Sequence, residues 1–460
     1  MKKDNFIIIV CGVLATLYML FFTSLELLVV SGFFLEFVLF YLLKRYLGNS
    51  MSFVALTLPS FFIFSYIVLM IFPSLYIFSE MDHPIRFTFL IVIHGSLFTL
   101  LSGIIFIDLV FAWGRKTQAK YHNLSIYIMG ADKKYDVFMY LIFITFIPVL
   151  AMYVLTSDFI PLVEVIKSYP TEIDEQTLRF SENRLPYLVQ ISFELFRRIL
   201  LPLAVIYAYV KSNLYHGRWT LYFWISFVLT AIVCAATLDR GPIIILIVMI
   251  MFVRYFVLKK TDLRIYFFGL FLVSFFGALI SLLQYQREIL FDVFIQYSFY
   301  ILGWRIFIDP VSMAGLAFEQ FNASTGFLYG ESVRLFSLIV PSIEYIDSQG
   351  GSNHREWSAA PATFVGDLWR NFSWVGVIIG TFLLGAVYQF IQIFFIRNQN
   401  IVTICAFIIL MMYPLFIIHG NMFGIVTTMI FIVGLILSVI GSTITLPNCK
   451  VYANDNHSKN

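Results

Sequence analysis

Charge is scarce in this sequence. Its 460 residues hold 30 Lys and Arg and 27 Asp and Glu, 12% of the chain, about half the share found in a soluble domain. With 60% of the residues hydrophobic and 18% aromatic, a water-soluble globular fold is excluded, since too little polar surface remains to cover them. The net charge is small as well, +3, and the basic residues sit in short connectors between apolar runs. A nucleic-acid partner therefore has little support. Cysteine is almost missing: Cys11, Cys234 and Cys405 lie within apolar runs and Cys449 lies in the tail. With no CxxC spacing and no pair in an outer segment, neither a disulfide framework nor a metal site is indicated.

Long apolar runs take the place of charge. A hydrocarbon core about 30 Å thick takes about 20 apolar residues of helix, and on that rule about twelve spans can be placed. They begin near Phe6, Glu26, Phe53, Arg86, Val137, Pro186, Thr220, Pro242, Ile265, Phe372, Ile401 and Met422. The opening Met1-Lys2-Lys3 is that of a signal peptide, but a second apolar block follows at once, so the first run is read as a retained helix. The expectation is an all-α integral membrane protein in which residues 1–460 form a single transmembrane domain.

Basic residues alternate along the chain. Lys2 and Lys3, Lys44 and Arg45, Arg115 to Lys134, Lys211 and Arg218, Arg254 to Arg264, Arg397 and Lys450 fall in every second connector, the positive-inside pattern. Both termini and the connector 114–136 are then cytoplasmic. Two long segments, about 157–185 and 284–371, fall outside. The first carries Pro161, Pro170 and Pro186 with mixed charge and reads as a structured loop with short helices. The second holds Arg287, Arg305, Arg334, His354, Arg355, Glu356, Asp367 and Arg370, an outer surface suited to a charged or sugar-bearing substrate. Within it Asp309-Pro310 is a helix start. Val311, Ala314, Phe318 and Phe321 fall on one face, which predicts an amphipathic helix lying at the membrane surface.

Several charges fall where a bilayer resists them, at about 2.5 to 3.5 kcal/mol each on insertion scales. Glu36 lies in the second span, His94 and Asp108 in the fourth, and Glu194, Arg197 and Arg198 in the sixth. For the first three, interhelical hydrogen bonds are the simplest reading. Glu194 and Arg198 are four apart and can pair on one helix face, with Arg197 snorkelling outward; the alternative turns an arginine into a cavity that receives an anionic headgroup. In Leu238-Asp239-Arg240-Gly241-Pro242, Asp239 or Gly241 is suited to capping the next helix and Pro242 to its first turn. Arg240, an outer arginine beside a helix N-terminus, suits an anion.

The Asp-Arg-Gly element at 239–241, the large penultimate outer loop and the run from Ala359 to Phe390 together resemble the bacterial O-antigen or oligosaccharide repeat-unit polymerases. In that family a proline-containing loop leads to an Asn-Phe-Gly-like turn and then a glycine-rich helix. Here the turn reads Asn371-Phe372-Ser373-Trp374, with serine where glycine is common. The resemblance covers the whole chain in topology and about 50 residues in motif. It implies a GT-C-like bundle with two long periplasmic loops, placed in the bacterial inner membrane. The implied activity is a glycosyltransferase of lipopolysaccharide biosynthesis that uses undecaprenyl-diphosphate-linked oligosaccharide, with no obligatory cofactor, and works beside a chain-length regulator and a flippase.

In the implied reaction a sugar hydroxyl attacks the anomeric carbon of a chain held on lipid diphosphate. Guanidinium groups at that diphosphate stabilise charge that grows as the bond breaks, and their planar forks match phosphate oxygens. Arg240 and Arg287 are the catalytic candidates of this kind. Arg197, Arg198, Arg305, Arg355 and Arg370 are the substrate-binding ones. His354, Glu356 and Asp367 are candidates for the general base, each with a solvated or capping role as the plainer reading. Trp357 is a candidate sugar platform, whereas Trp374 reads as an interfacial anchor. No DxD-like motif stands out, which suits a lipid-diphosphate donor better than a nucleotide sugar. A transporter or flippase is the main alternative, opposed by the long outer loop and by the lack of a visible repeat between halves; a ligase-like transferase of the same chemistry is the other.

Overall fold

The computed structural model describes residues 57–80, 83–111, 133–157, 160–168, 186–215, 217–237, 240–256, 263–284, 291–321, 326–329, 363–397, 401–420, 422 and 425–443. Among these residues every regular element is helical. In chain order they are α1 (Leu58–Tyr66), α2 (Phe72–Glu80), α3 (His83–Val110), α4 (Lys133–Thr156), α5 (Pro161–Ser168), α6 (Tyr187–Leu195), α7 (Leu201–Tyr215), α8 (Arg218–Ala236), α9 (Arg240–Phe256), α10 (Leu263–Gln284), α11 (Phe291–Phe299), α12 (Asp309–Gln320), α13 (Thr363–Arg397), α14 (Ile401–His419) and α15 (Ile425–Thr443). Wider π-helical turns at Ile67–Ile71, Phe196–Leu200 and Tyr300–Ile308 join α1 to α2, α6 to α7 and α11 to α12.

Among the described residues five stretches are long and apolar enough to cross a membrane: Ile85–Val110, Met139–Thr156, Arg218–Ala236, Thr363–Phe395 and Val402–His419. Shorter apolar helices cover Leu58–Ser74, Pro242–Arg254, Phe267–Leu279 and Thr427–Ile440. Exposed Ile144, Ile147, Leu155, Ile232 and Phe267 mark faces turned outward from the bundle. Such large apolar side chains on the rim of a helical bundle belong against lipid rather than water. The chain is a helical membrane protein. The expected spans near Phe6 and Glu26, with Glu36, lie outside the described residues.

The bundle is organised around α3 and α13. These two helices run the same way, since Thr99 meets Thr381, Phe106 meets Phe382 and Phe111 meets Phe390. Their backbones nearly touch: a Cβ on Gly103 would strike the Phe382 carbonyl, and one on Gly385 the Leu100 carbonyl. Small residues at such a seam let helices approach closely where no water drives them together. Asp108 is buried in the same seam and accepts a hydrogen bond from the Gln389 side-chain amide, so the interhelical bond expected for it is present. His94 is buried in α3 as well.

The stretch before α12 is helical from Phe291 onward, with the π turn leading directly into Asp309. The face carrying Val311, Ala314 and Phe318 does not lie open at a membrane surface; all three are fully buried. Phe318 stacks on Trp369 at 4.4 Å and meets the edge of Phe89 at 5.4 Å. A surface helix therefore becomes an internal one because α13 and α3 supply aromatic partners for its apolar stripe.

α13 is broken. At Ser373 the backbone takes φ 57 and ψ −149, a region suited to glycine. A Cβ on Gly376 would meet the Leu368 carbonyl, and one on Gly380 the Leu368 side chain. In a straight helix those positions would lie about 12 and 18 Å apart along the axis. The arm 363–372 must therefore fold back along 374–397, so the candidate span Thr363–Phe395 is not one straight helix. The expected turn at Asn371-Phe372-Ser373-Trp374 is this reversal. It is sharper than a loop because helix continues on both sides.

Candidate functional site

The arm 363–372 holds two of the charges read from the sequence. Thr363 caps it by accepting the Gly366 amide at 3.3 Å, so the arm begins as a helix despite the φ of 59 at Thr363 itself. Every residue from Thr363 to Asn371 is buried. Asp367 and Arg370 thus lie inside the bundle and not in a solvated loop, the plainer reading of their sequence position. Three residues apart on one helix, they form an ion pair at 2.6 Å, with side-chain exposures of 0% for Asp367 and 10% for Arg370. The other carboxylate oxygen of Asp367 accepts the Met422 amide at 2.6 Å, in the connection between α14 and α15.

The rest of the arm is tied down just as firmly. The Arg370 carbonyl accepts the Leu328 amide at 2.9 Å, and the Trp369 indole donates to the Phe321 carbonyl at 2.6 Å. Asn371 donates back to the Asp367 carbonyl at 2.8 Å. Trp369 is enclosed by Phe318, Phe327 and Trp374, while Trp374 itself stays exposed at the reversal. The hydrogen bonds of Trp369 and Arg370 could not be read from the sequence, because their partners lie more than forty residues away.

A second cluster lies on α6 and the π turn after it. Glu194 bonds both Arg197 and Arg198, so the pairing expected at four-residue spacing is present. The snorkelling expected of Arg197 is not. Arg197 is the largest fully buried side chain of the described residues, at 0% exposure, and it also donates to the Thr237 hydroxyl. Its guanidinium faces inward because Glu194 and Thr237 offer it acceptors there, and Phe193 lies 5.9 Å beneath it. Arg198 keeps 24% of its side chain exposed, the most of the three members of this cluster. Thr237 closes α8 immediately before the Leu238-Asp239-Arg240-Gly241 motif, and Arg240 is the first residue of α9.

Among the other sequence-derived candidates, Arg305 lies in the π turn Tyr300–Ile308, and its side chain, like that of Arg240, is not described. Arg287, His354, Arg355, Glu356 and Trp357 lie outside the described residues. Among the described residues no three His, Cys, Asp or Glu side chains gather as a metal site would. The two clusters are one partly buried acid bonding two arginines, and one fully buried acid that holds an arginine while being held by a distant backbone amide. Both fix guanidinium groups in place. No protein-family model, curated protein or solved structure matches the chain.

Proposed function

We propose that the chain is a membrane glycosyltransferase of the O-antigen polymerase type, joining undecaprenyl-diphosphate-linked oligosaccharide repeat units at the outer face of the bacterial inner membrane. On this reading the bundle is GT-C-like with about twelve spans, and both termini are cytoplasmic. The observation that carries the proposal is the folded-back arm 363–372, which turns Arg370 into the bundle and clamps it with a fully buried carboxylate. A guanidinium held this way is preorganised, and preorganised cations stabilise a departing diphosphate without reorganising during the reaction.

In the proposed step the oxygen of an acceptor sugar hydroxyl forms a bond to the anomeric carbon. The bond from that carbon to the lipid diphosphate breaks, the diphosphate leaves with the electron pair, and the hydroxyl proton passes to a base. Both oxygens of Asp367 are engaged, one by Arg370 and one by the Met422 amide. Asp367 is thereby assigned the orientation of Arg370, and His354 and Glu356 remain the candidates for the base. Arg198, partly exposed beside Glu194, is assigned to the anionic part of the substrate, as is Arg240.

Deletion of the gene in its native host, followed by complementation and gel analysis of surface polysaccharide, tests the reading. Wild type, Arg240→Ala, Arg287→Ala and Arg370→Ala are compared after each is shown to reach the membrane. A single repeat unit on the lipid core after deletion, with a ladder restored by wild type and not by an arginine variant, is the expected result. Loss of the single-unit band as well turns the assignment towards export or ligation, and an unchanged ladder removes it.

A further inference from the structure

Two buried polar groups on α13 have no hydrogen-bond partner among the described residues: the Tyr388 hydroxyl and the Gln392 side-chain nitrogen. Tyr388 is 1% exposed and Gln392 3%. Four residues apart, they occupy one face of the helix on successive turns. Both face α1, because the Tyr388 ring lies 4.8 Å from Phe62 and the Gln392 carbonyl oxygen accepts the Leu58 amide at 2.9 Å. Phe62 and Leu58 are themselves one turn apart, so these are consecutive rungs of the same helix pair. Tyr413 of α14, its ring 6.3 Å from that of Tyr388, forms a third wall.

An unpartnered buried donor costs about 1 to 3 kcal/mol, and two on adjacent rungs demand a common explanation. The chemistry of the pair narrows it. A side-chain amide nitrogen only donates, so whatever meets Gln392 must present an acceptor, which excludes a cation. Phe62, Leu58 and Tyr413 supply no positive charge, which disfavours an anion. A phenol donates or accepts. We infer that a water molecule is held between Tyr388 and Gln392, accepting from the amide and bonded to the hydroxyl, on the face of α13 that packs against α1.

The test is a double-mutant cycle on the thermal unfolding of the full-length protein in detergent, using Tyr388→Phe and Gln392→Leu. The bond that Leu58 loses enters both Gln392→Leu backgrounds and cancels in the cycle. The expected result is that Tyr388→Phe lowers Tm by about 1 to 2 °C in wild type and leaves it unchanged in the Gln392→Leu background. An experimental density map should also place one ordered oxygen within hydrogen-bonding distance of both groups. If Tyr388→Phe is neutral or stabilising in wild type, or if the map shows hydroxyl and amide bonded directly, the inference is overturned. Should Gln392→Leu fail to fold, the map and Tyr388→Phe alone decide it.

Discussion

Replacing Ser373 by glycine should stabilise the protein, which is the opposite of what glycine does elsewhere in a helix. In a helix interior glycine is less stable than alanine by about 0.5 to 1 kcal/mol, because the unfolded chain gains freedom. At Ser373 the backbone sits at φ 57 and ψ −149, where a residue with a Cβ carries strain of about 1 to 3 kcal/mol. Relief of the strain outweighs the entropy and leaves a net gain of up to about 2 kcal/mol. Ser373→Ala keeps the strain and should gain nothing, while Ser373→Val adds a branched carbon and should fall below wild type. At about 2 cal/mol/K per residue, a fully unfolding chain of 460 residues shifts Tm by about 1 °C per kcal/mol. Denaturing-detergent titration is therefore the more sensitive assay. Tryptophan fluorescence suits it, because Trp369 and Trp374 flank the reversal with ring centroids 5.6 Å apart. If Ser373→Gly proves no more stable than Ser373→Ala, the argument from strain at the reversal is wrong.

Asp367→Ala should cost about 3 to 5 kcal/mol, since it removes one partner of a buried ion pair, and Asp367→Asn should cost less because the Met422 amide keeps an acceptor; unfolding in detergent reads both. Trp369→Phe keeps the ring stack and removes the bond to the Phe321 carbonyl, for an expected loss of about 1 kcal/mol in the same assay. Gly385→Val should separate α3 from α13, because the added carbons would strike the Leu100 backbone; cysteines placed at Thr99 and Thr381 should then cross-link more slowly than in the parent.

Much of the helical layout is legible from hydropathy, because a bilayer leaves a chain few options for its backbone. The starts expected near Arg86, Pro186, Thr220, Pro242 and Ile401 fall at the beginnings of α3, α6, α8, α9 and α14. The Glu194–Arg198 pair was legible because its spacing is local. The sequence left Arg197 open between snorkelling and turning inward, because its inward partner, Thr237, lies 40 residues on and nothing in the sequence of α6 points to it. The arm 363–372 reads in sequence as the end of a loop for a different reason. Its charges are spaced like those of a polar segment, and neither composition nor period shows that Leu368 lies against Gly376 and Gly380. The surface helix at Asp309 was misplaced for the same reason, since its apolar stripe looks alike whether lipid or Trp369 covers it.

The seam between α3 and α13 carries a consequence for how the protein is made. Asp108 leaves the ribosome 281 residues before Gln389, the side chain that bonds it. At about 5 to 20 residues per second, roughly 15 to 55 s pass between the two. For that interval a carboxylic acid must wait in the bilayer without its lifelong neighbour, shielded by lipid headgroups, by water or by the insertion machinery. The central joint of the molecule is thus among the last to close, and a nascent chain stalled before residue 389 should be more readily extracted and degraded than one stalled a few turns later.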